Sequence, residues 1–153
     1  MSVEQTYKQQ IELINKQIKE LVGVYRDTVR DWDISESEFW VWYTLVTIEG
    51  EFSQQDICNM WSLPKQTVNT IVSQMKRKKF ARLEATFRAR NRKIIYLTEE
   101  GKRYGERIIA PITDAEERSF EQISCEELIP VTNTLGKYIT ILKKELQTTH
   151  GEA

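Results

Sequence analysis

The stretch Leu63–Leu97 limits the folds open to this chain, because its hydrophobic pattern changes within it from helical to strand periodicity. Polar and apolar residues alternate from Ala81 to Phe87, and β-branched and aromatic residues fill Lys93–Leu97, as in two short strands. The preceding segment instead has apolar residues at i, i+3, i+4 and i+7, the buried stripe of a helix: Val68, Ile71, Val72 and Met75. The pattern predicts a helix followed directly by a β-hairpin.

The same stretch concentrates positive charge. It holds ten basic residues and one acid, Glu84, a balance of +9. The whole chain has 22 basic and 23 acidic residues, so the remainder has 12 basic and 22 acidic residues, a balance of −10. A phosphate backbone selects a local concentration of cations, because each neutralised phosphate releases condensed counterions. Nucleic acid is therefore the leading partner hypothesis.

A short helix is predicted immediately before this stretch. Ser53 is predicted to begin this helix. Asp56 lies in its first turn, where a negative charge interacts favourably with the positive end of the helix dipole. Pro64 suits the first position of the next helix, which is predicted to continue to Lys78. Two short helices joined by a tight turn form a helix-turn-helix, whose second helix enters the major groove of DNA.

The second of these helices has a polar face opposite its apolar stripe. Amide and hydroxyl groups can read base edges, and lysine and arginine bind phosphate or guanine, but an ordinary solvated surface has the same character. The candidate DNA-binding side chains are Lys65, Gln66, Thr67, Asn69, Thr70, Ser73 and Arg77, together with Gln54 and Gln55 of the preceding helix.

The predicted hairpin tip, residues 88–92, strengthens the DNA interpretation. Its sequence is Arg-Ala-Arg-Asn-Arg, and the negative potential of a minor groove or phosphate backbone attracts arginine. An exposed loop that had only to be soluble would not require so one-sided a charge. The candidate residues of this wing are Arg88, Arg90, Arg92 and Lys93.

Long amphipathic helices are predicted at both ends of the chain. Apolar residues recur at helical spacing in Tyr7–Val29, and again in Leu128–Leu146 after a capping box of Ser124 and Glu127. A narrow apolar stripe held over many turns indicates packing against another long helix. The residues leave open whether the first helix packs against a second subunit or lies on its own domain.

A further helix is predicted to begin at Ser35, which forms a capping box with Glu38, and to end near Gly50. Its centre is apolar nearly all round, which indicates burial on most sides. Four aromatic side chains lie there and either pack in the core, the more frequent arrangement, or line a ligand cavity: Phe39, Trp40, Trp42 and Tyr43.

Catalytic, metal and membrane functions have little support. The only histidine is His150, and no glycine-rich phosphate loop or cluster with metal-ligand spacing occurs, so we predict no enzyme activity, metal or cofactor. Cys58 and Cys125 are interpreted as buried or incidental thiols, with a redox switch as the alternative. Residues 1–30 are too polar for a signal peptide, and no run approaches the ~18 apolar residues of a spanning helix. We therefore predict a soluble, cytoplasmic protein without a membrane partner.

Three short motifs occur in a specific order along the chain: Ser-Gln-Gln-Asp-Ile at 53–57, Leu-Pro-Lys-Gln-Thr-Val-Asn at 63–69 and Tyr-Leu-Thr-Glu-Glu-Gly-Lys at 96–102. Together with the long first helix, the tryptophan-rich helix and the basic wing, this order resembles the MarR family of bacterial winged-helix transcriptional regulators. The resemblance extends over nearly the whole chain, and its most specific parts are Leu63–Met75 and Leu97–Gly101.

The resemblance implies a mainly α fold with a small β-hairpin wing, a winged helix-turn-helix whose amino- and carboxyl-terminal helices form a dimerisation region. Residues 33–103 are then the DNA-binding region, and residues 1–32 and 104–153 are the dimerisation region. The two regions together form one intertwined domain. It implies a homodimer that binds double-stranded DNA at a pseudo-palindromic operator. The family's cavity between the two regions suggests a small aromatic or anionic effector, with a candidate pocket at Tyr25, Phe39, Trp40 and Tyr43.

Two positions depart from the family pattern. Members often carry Asp-x-Arg at the wing tip, whereas the tip here has no acid, so the sequence does not select which of Arg88, Arg90 and Arg92 enters the groove. The family's glycine after the recognition helix is replaced by Lys79, which would need a left-handed backbone. The competing interpretation of the chain is a winged-helix adaptor that binds an acidic protein surface without sequence-specific DNA binding.

Overall fold

The computed structural model of this chain describes the backbone of residues 3–86 and 89–151 and the side chains of residues 3–85 and 92–149. Within these ranges it contains six α-helices, a short 3₁₀ turn and a two-stranded sheet, which confirms the predicted mainly α fold with a hairpin wing. The elements in chain order are α1 (Val3–Val29), the 3₁₀ turn (Arg30–Trp32), α2 (Glu36–Thr47), α3 (Gln54–Trp61), α4 (Lys65–Arg77), β1 (Ala81–Thr86), β2 (Ala89–Leu97), α5 (Glu99–Phe120) and α6 (Cys125–Gly151).

The chain divides into two compact units, Met1–Ile109 and Ala110–Ala153, and the division falls within α5. The first unit contains α1 to α4, the sheet and the first half of α5. The second contains the rest of α5 and all of α6. In the described part of the chain, no helix combines the length and the apolar character that crossing a bilayer requires.

The core of the first unit lies where α2, α3 and α4 meet. Phe39 and Val41 of α2 and Ile57 of α3 are fully buried there. The apolar stripe predicted for α4 is confirmed, since all four of its members are buried: Val68, Ile71, Val72 and Met75. Burial of this side leaves the opposite side of α4 facing solvent.

The start of α2 differs from the predicted capping box. Ser35 Oγ accepts a hydrogen bond from the Glu38 backbone N–H at 3.1 Å, as expected. The Glu38 carboxylate, however, accepts a hydrogen bond from the Trp42 indole N–H at 3.4 Å. Trp42 is only 1% exposed, and a buried indole N–H needs an acceptor, which the Glu38 carboxylate supplies from one turn earlier in the same helix. The box predicted at the start of α6 forms with both of its bonds.

The turn between α4 and β1 has the left-handed residue predicted at Lys79, whose φ is 60°. Its N–H donates to the Lys76 carbonyl at 3.0 Å, and the Phe80 N–H donates to the Met75 carbonyl at 2.9 Å. These two bonds form a Schellman motif, which satisfies carbonyls that a helix end leaves without intrahelical partners. The chain then enters β1 directly.

The wing is longer on its second strand than predicted. Residues 88–92 were expected to form the hairpin tip, but Ala89–Arg92 belong to β2. The two strands pair regularly from Ala81 opposite Leu97 to Ala85 opposite Lys93, and then shift register so that Thr86 lies opposite Ala89. An irregularity of this kind accommodates extra residues in one strand, and sequence alternation does not reveal it. The prediction for residue 88 falls outside the described residues.

Candidate nucleic-acid interface

The predicted helix-turn-helix consists of α3 and α4. The turn begins at Ser62, which caps α3 with a left-handed φ of 53°. Pro64 is the N-cap of α4 rather than its first residue, because its ψ of 136° is extended, and its carbonyl accepts a hydrogen bond from the Val68 N–H at 3.2 Å. The helix therefore covers Lys65–Arg77, one residue shorter than predicted at each end.

The polar side of α4 is open to solvent. Thr67 is half-buried, and the other six side chains proposed to contact DNA from this helix are exposed: Lys65, Gln66, Asn69, Thr70, Ser73 and Arg77. The Thr70 hydroxyl donates to the Gln66 carbonyl at 2.9 Å, which leaves the hydroxyl oxygen as an acceptor. Amides, hydroxyls and cations thus share one exposed face opposite the buried stripe, the arrangement that base reading requires.

The two glutamines of α3 differ in their surroundings. Gln54 is half-buried at the first position of the helix. Gln55 is exposed, and its Nε2 donates to Asn59 Oδ1 at 2.8 Å. Both side chains lie on the first two positions of α3, where backbone N–H groups also suit a phosphate.

Of the three wing arginines, Arg92 is the one whose side chain the structure describes. Arg88, and the side chain of Arg90, lie outside the described residues. Lys93 is exposed. Arg92 is engaged with the helix-turn-helix, because its Nη2 lies 2.5 Å from Asp56 Oδ2 in the first turn of α3. The wing tip, residues 88–92, lacks an acid, and α3 supplies one to Arg92.

Asp56 therefore belongs to the candidate interface, although the sequence assigned it only to the helix dipole. Partial burial acts to raise the pKa of its carboxyl, but hydrogen bonds from the Ser53 side chain and backbone, and from the Arg92 guanidinium with its charge, outweigh burial and hold the pKa below its ordinary value. The carboxylate is consequently ionised and paired at neutral pH. The signal available in the sequence was its spacing of three residues from Ser53, which predicts a capping box but no partner in the wing.

The four residues of the candidate effector pocket are close together. The Trp40 ring centroid lies 5.1 Å from that of Tyr25, 4.8 Å from that of Phe39 and 5.6 Å from that of Tyr43. Phe39 is fully buried. The four rings pack on one another, as the core-packing interpretation expects, and the pocket assignment remains a prediction.

Trp61, at the end of α3, joins this aromatic cluster and was not included in the prediction. Its ring stacks on Trp40 with centroids 4.2 Å apart, and its indole N–H donates to Thr44 Oγ1 at 2.6 Å. Thr44 is fully buried and donates in turn to the Trp40 carbonyl at 2.8 Å. The cluster thus connects α2 directly to the helix-turn-helix.

A cleft of about 690 Å³ lies elsewhere in the first unit, among the end of α2, β2 and the start of α5. Leu45 and Phe52 contribute apolar surface, and Arg82 and Lys102 contribute charge. Each of these cations pairs with a neighbouring acid, Arg82 with Glu84 and Lys102 with Glu99. The four proposed effector-pocket residues are not part of its lining.

The two cysteines differ in exposure. Cys58 is buried in α3, and Cys125 is exposed at the first position of α6. Both are free thiols. Among the side chains that the structure describes, no group of three or more histidine, cysteine or carboxylate residues is arranged to hold a metal ion.

Known structures resemble this one more clearly than known sequences do. No protein-family model matches the sequence, and a comparison with curated proteins also finds no match. Among solved structures, the MarR family regulator NMB1585 of Neisseria meningitidis has a TM-score of 0.79 at 23% identity, covering 92% of this chain and 98% of that chain. MepR of S. aureus, in its DNA-binding conformation, has a TM-score of 0.68 at 21% identity, covering 87% of this chain and 98% of that chain.

A third similar structure concerns a regulator with a known small-molecule effector. BpsR of Bordetella bronchiseptica, whose DNA binding is regulated by 6-hydroxynicotinic acid, has a TM-score of 0.57 at 17% identity, covering 83% of this chain and 90% of that chain. At these identities the likeness is one of fold, and it extends over 83% or more of this chain in each of the three comparisons.

Proposed function

We propose that this chain, whose fold is that of the MarR family regulators, is a sequence-specific transcriptional regulator that binds double-stranded DNA as a homodimer. The observation that carries the proposal is the exposed polar face of α4, which lies opposite a buried stripe and beside a cationic wing. Its function is binding, not catalysis, and its place of action is the cytoplasm, where the DNA is.

In this proposal, residues 33–103 form the DNA-binding region, and residues 1–32 and 104–153 pair two subunits. Each α4 enters the major groove of one half-site, and the wing contacts the neighbouring groove or backbone. Two-fold symmetry of the protein then requires a pseudo-palindromic operator with half-sites about one helical turn apart. Gln54 and Gln55 fix the register through phosphates, which carry no sequence information themselves.

The experiment is selection of bound duplexes from a random pool, followed by footprinting on the selected sequence. We expect an inverted repeat to be enriched and protected. Asn69→Ala should then lower the preference for the selected sequence by about tenfold, since a good bidentate contact to a base contributes ~1–3 kcal/mol of discrimination. Asn133→Ala, which removes an exposed asparagine from α6, is the matched control and should leave the preference unchanged.

The competing adaptor function predicts a different outcome of the same selection. An adaptor with a basic surface binds polyanions through charge alone, so its binding depends on salt but not on sequence. No enrichment of any duplex from the pool would contradict the regulator and favour the adaptor. Salt dependence by itself does not separate the two functions, because both rest on electrostatic attraction.

We further propose control by a small aromatic or anionic effector at the aromatic cluster of Tyr25, Phe39, Trp40 and Tyr43. The support is the contact between this cluster and Trp61 at the end of α3. Because Trp61 stacks on Trp40 and donates to Thr44, a ligand that moves the cluster would also move the helix-turn-helix. A ligand that binds one arrangement of the two reading helices better than the other shifts operator affinity by its differential binding free energy.

Tryptophan fluorescence tests the effector proposal, because Trp40 and Trp61 stack on each other and report changes in the cluster. A panel of aromatic carboxylates that includes 6-hydroxynicotinic acid should contain a compound that changes both the fluorescence and the operator affinity. Trp40→Phe should weaken both responses while operator binding without ligand is retained. A panel in which no compound alters operator affinity would contradict effector control and leave the DNA-binding proposal intact.

A further inference from the structure

Asp56 binds the wing and the start of α3 through one oxygen. Its Oδ2 accepts hydrogen bonds from the Ser53 backbone N–H at 2.7 Å, from the Ser53 hydroxyl at 2.7 Å and from Arg92 Nη2 at 2.5 Å. The side chain of Asp56 is 32% exposed and that of Arg92 is 47% exposed. A charge-assisted bond between partly covered groups is stronger than a fully solvated ion pair. The pair therefore joins the first turn of the helix-turn-helix to the second strand of the wing.

Backbone hydrogen bonds attach the inner part of the wing at the same place. The Ile95 N–H donates to the Phe52 carbonyl at 2.9 Å, and Ser53 forms a β-bridge with Ile94. These contacts fix β2 up to Ile94. Arg92 lies two residues further out, next to the register shift between the strands, and its side chain is the described link that holds this outer part to α3.

We propose that Asp56 is a positioning residue for DNA recognition, which orients Arg92 and holds the outer wing at a fixed place relative to α4. The inference rests on the proposed DNA-binding function and adds a determinant of sequence preference to it. Within this chain Asp56 does what an acid in the wing itself would do. It acts through Arg92 and the wing rather than by contacting a base.

Two effects of Asp56 on DNA binding have to be separated. Its negative charge repels phosphates, so its removal strengthens binding to every duplex alike. Its hold on the wing favours the one geometry that fits the operator, so its removal weakens binding to the operator selectively. We therefore use the ratio of the affinity for the operator to the affinity for a scrambled duplex. Phosphate repulsion changes both affinities equally and leaves this ratio unchanged, whereas loss of the wing position lowers it.

The experiment measures this ratio for the full chain and for Asp56→Asn, Arg92→Gln and the double variant. Asparagine retains an oxygen that accepts from Ser53, so the start of α3 keeps its cap, but it lacks the negative charge that attracts the Arg92 guanidinium. Each single variant should lower the ratio about fivefold to tenfold, the size expected for one charge-assisted hydrogen bond. The double variant should lower it no further, because the two side chains act through one contact.

Glu127→Gln is the matched control, since Glu127 accepts from the Ser124 N–H and hydroxyl in a capping box of the same kind at the start of α6. It should leave the ratio unchanged. If Asp56→Asn raised both affinities equally, or if the two single effects multiplied in the double variant, the positioning role would be refuted. Arg92→Gln leaves the cap untouched, so it keeps the test decisive if Asp56→Asn impairs folding. A wild-type ratio near one would refute the proposed function itself, and this inference with it.

Discussion

A lysine occupies the left-handed position between α4 and β1, where its Cβ crowds the backbone. Lys79 has a φ of 60°, and the hydrogen bonds around it form a Schellman motif. An L-residue with a side chain loses about 1–2 kcal/mol in this conformation, which glycine adopts freely. The neighbouring Lys78 has a φ of −79°, which any residue adopts without strain. Two adjacent lysines therefore differ in backbone strain while carrying the same charge.

The first prediction uses this difference. Lys79→Gly should raise the free energy of unfolding by about 0.5–1 kcal/mol, because relief of strain exceeds the added entropy of the unfolded chain. Lys78→Gly removes the same charge without relieving strain, and should lower the free energy of unfolding slightly. Chemical denaturation of both variants measures the effect. Equal changes in the two variants would show that charge, not backbone strain, decides stability at this turn.

The second prediction concerns pH and Asp56. Partial burial, which acts to raise the pKa of this carboxyl, is outweighed by hydrogen bonds from Ser53 and Arg92, so the folded-state pKa lies below the ordinary value. Its stabilising contribution is thus fully present above the unfolded-state pKa and is lost as the pH falls through the lowered folded-state pKa. The difference in unfolding free energy between wild type and Asp56→Asn should be constant near neutral pH and disappear on acidification. Denaturation at a series of pH values measures it, and a difference that grew in acid would contradict the assignment.

Among the elements, the start of α5 packs against the α4–β1 turn by direct backbone contact. The Thr98 N–H donates to the Phe80 carbonyl at 2.9 Å, and the Thr98 hydroxyl donates to the Lys79 carbonyl at 2.7 Å. Thr98 Oγ1 also accepts from the Gly101 N–H at 3.0 Å, which caps α5. A Cβ at Gly101 would lie 1.9 Å from the Phe80 carbonyl oxygen, so only glycine permits this approach.

The third prediction follows from that approach. Gly101→Ala should lower the free energy of unfolding by about 1–3 kcal/mol, because the backbone of the turn or of α5 must move to admit the methyl group. Gly136→Ala is the control, since a Cβ there meets nothing within 4 Å, and it should raise stability by about 0.5–1 kcal/mol through helix propensity. Thermal or chemical denaturation distinguishes the two. A Gly101→Ala protein as stable as wild type would mean that α5 and the turn are not in direct contact.

The same elements show how far the sequence predicted this structure. The helices and the buried stripe on α4 follow from periodicity and helix-end rules that act over a few residues, and the structure has both. The left-handed backbone at Lys79, which the structure also has, was expected from the resemblance, because the family has a glycine at this position. The pairing of Arg92 with Asp56 joins residues 36 positions apart, and no local pattern encodes it. The sequence also did not predict the stacking of Trp61 on Trp40 or the register shift in the wing. Both depend on how one element packs against or pairs with another, which local periodicity does not specify.

At the scale of the whole molecule, apolar surface is concentrated in the first and last helices. Of the seventeen exposed large apolar side chains among the described residues, fourteen lie in α1 and α6, and only Val29 of α1 is buried. Leu142, in the second half of α6, is 40% exposed. Soluble monomers rarely leave large apolar patches in water, so helices of this kind are expected to be covered by a partner. The proposed homodimer supplies that partner as a second copy of the chain.

The fourth prediction tests whether α6 pairs subunits. Leu142→Glu places a charge on the apolar stripe and should convert the dimer to a monomer, because burial of an unpaired carboxylate costs several kcal/mol. Thr140→Glu adds the same charge two residues away, on the opposite side of the helix by its 3.6-residue period, and should leave the dimer intact. Analytical ultracentrifugation across a range of concentrations measures the mass of each variant.

The affinity of Leu142→Glu for the operator tests the functional consequence of dimerisation. A monomer contacts one half-site at a time, so Leu142→Glu should lose the affinity that two linked reading helices gain from each other on an inverted repeat. Its binding to an isolated half-site should equal that of the wild-type chain, because the α3–α4 unit is unchanged. If the variant remained dimeric, α6 would not form the interface. If it became monomeric and still bound the full operator with wild-type affinity, each subunit would recognise DNA independently and the pseudo-palindrome would have no structural basis.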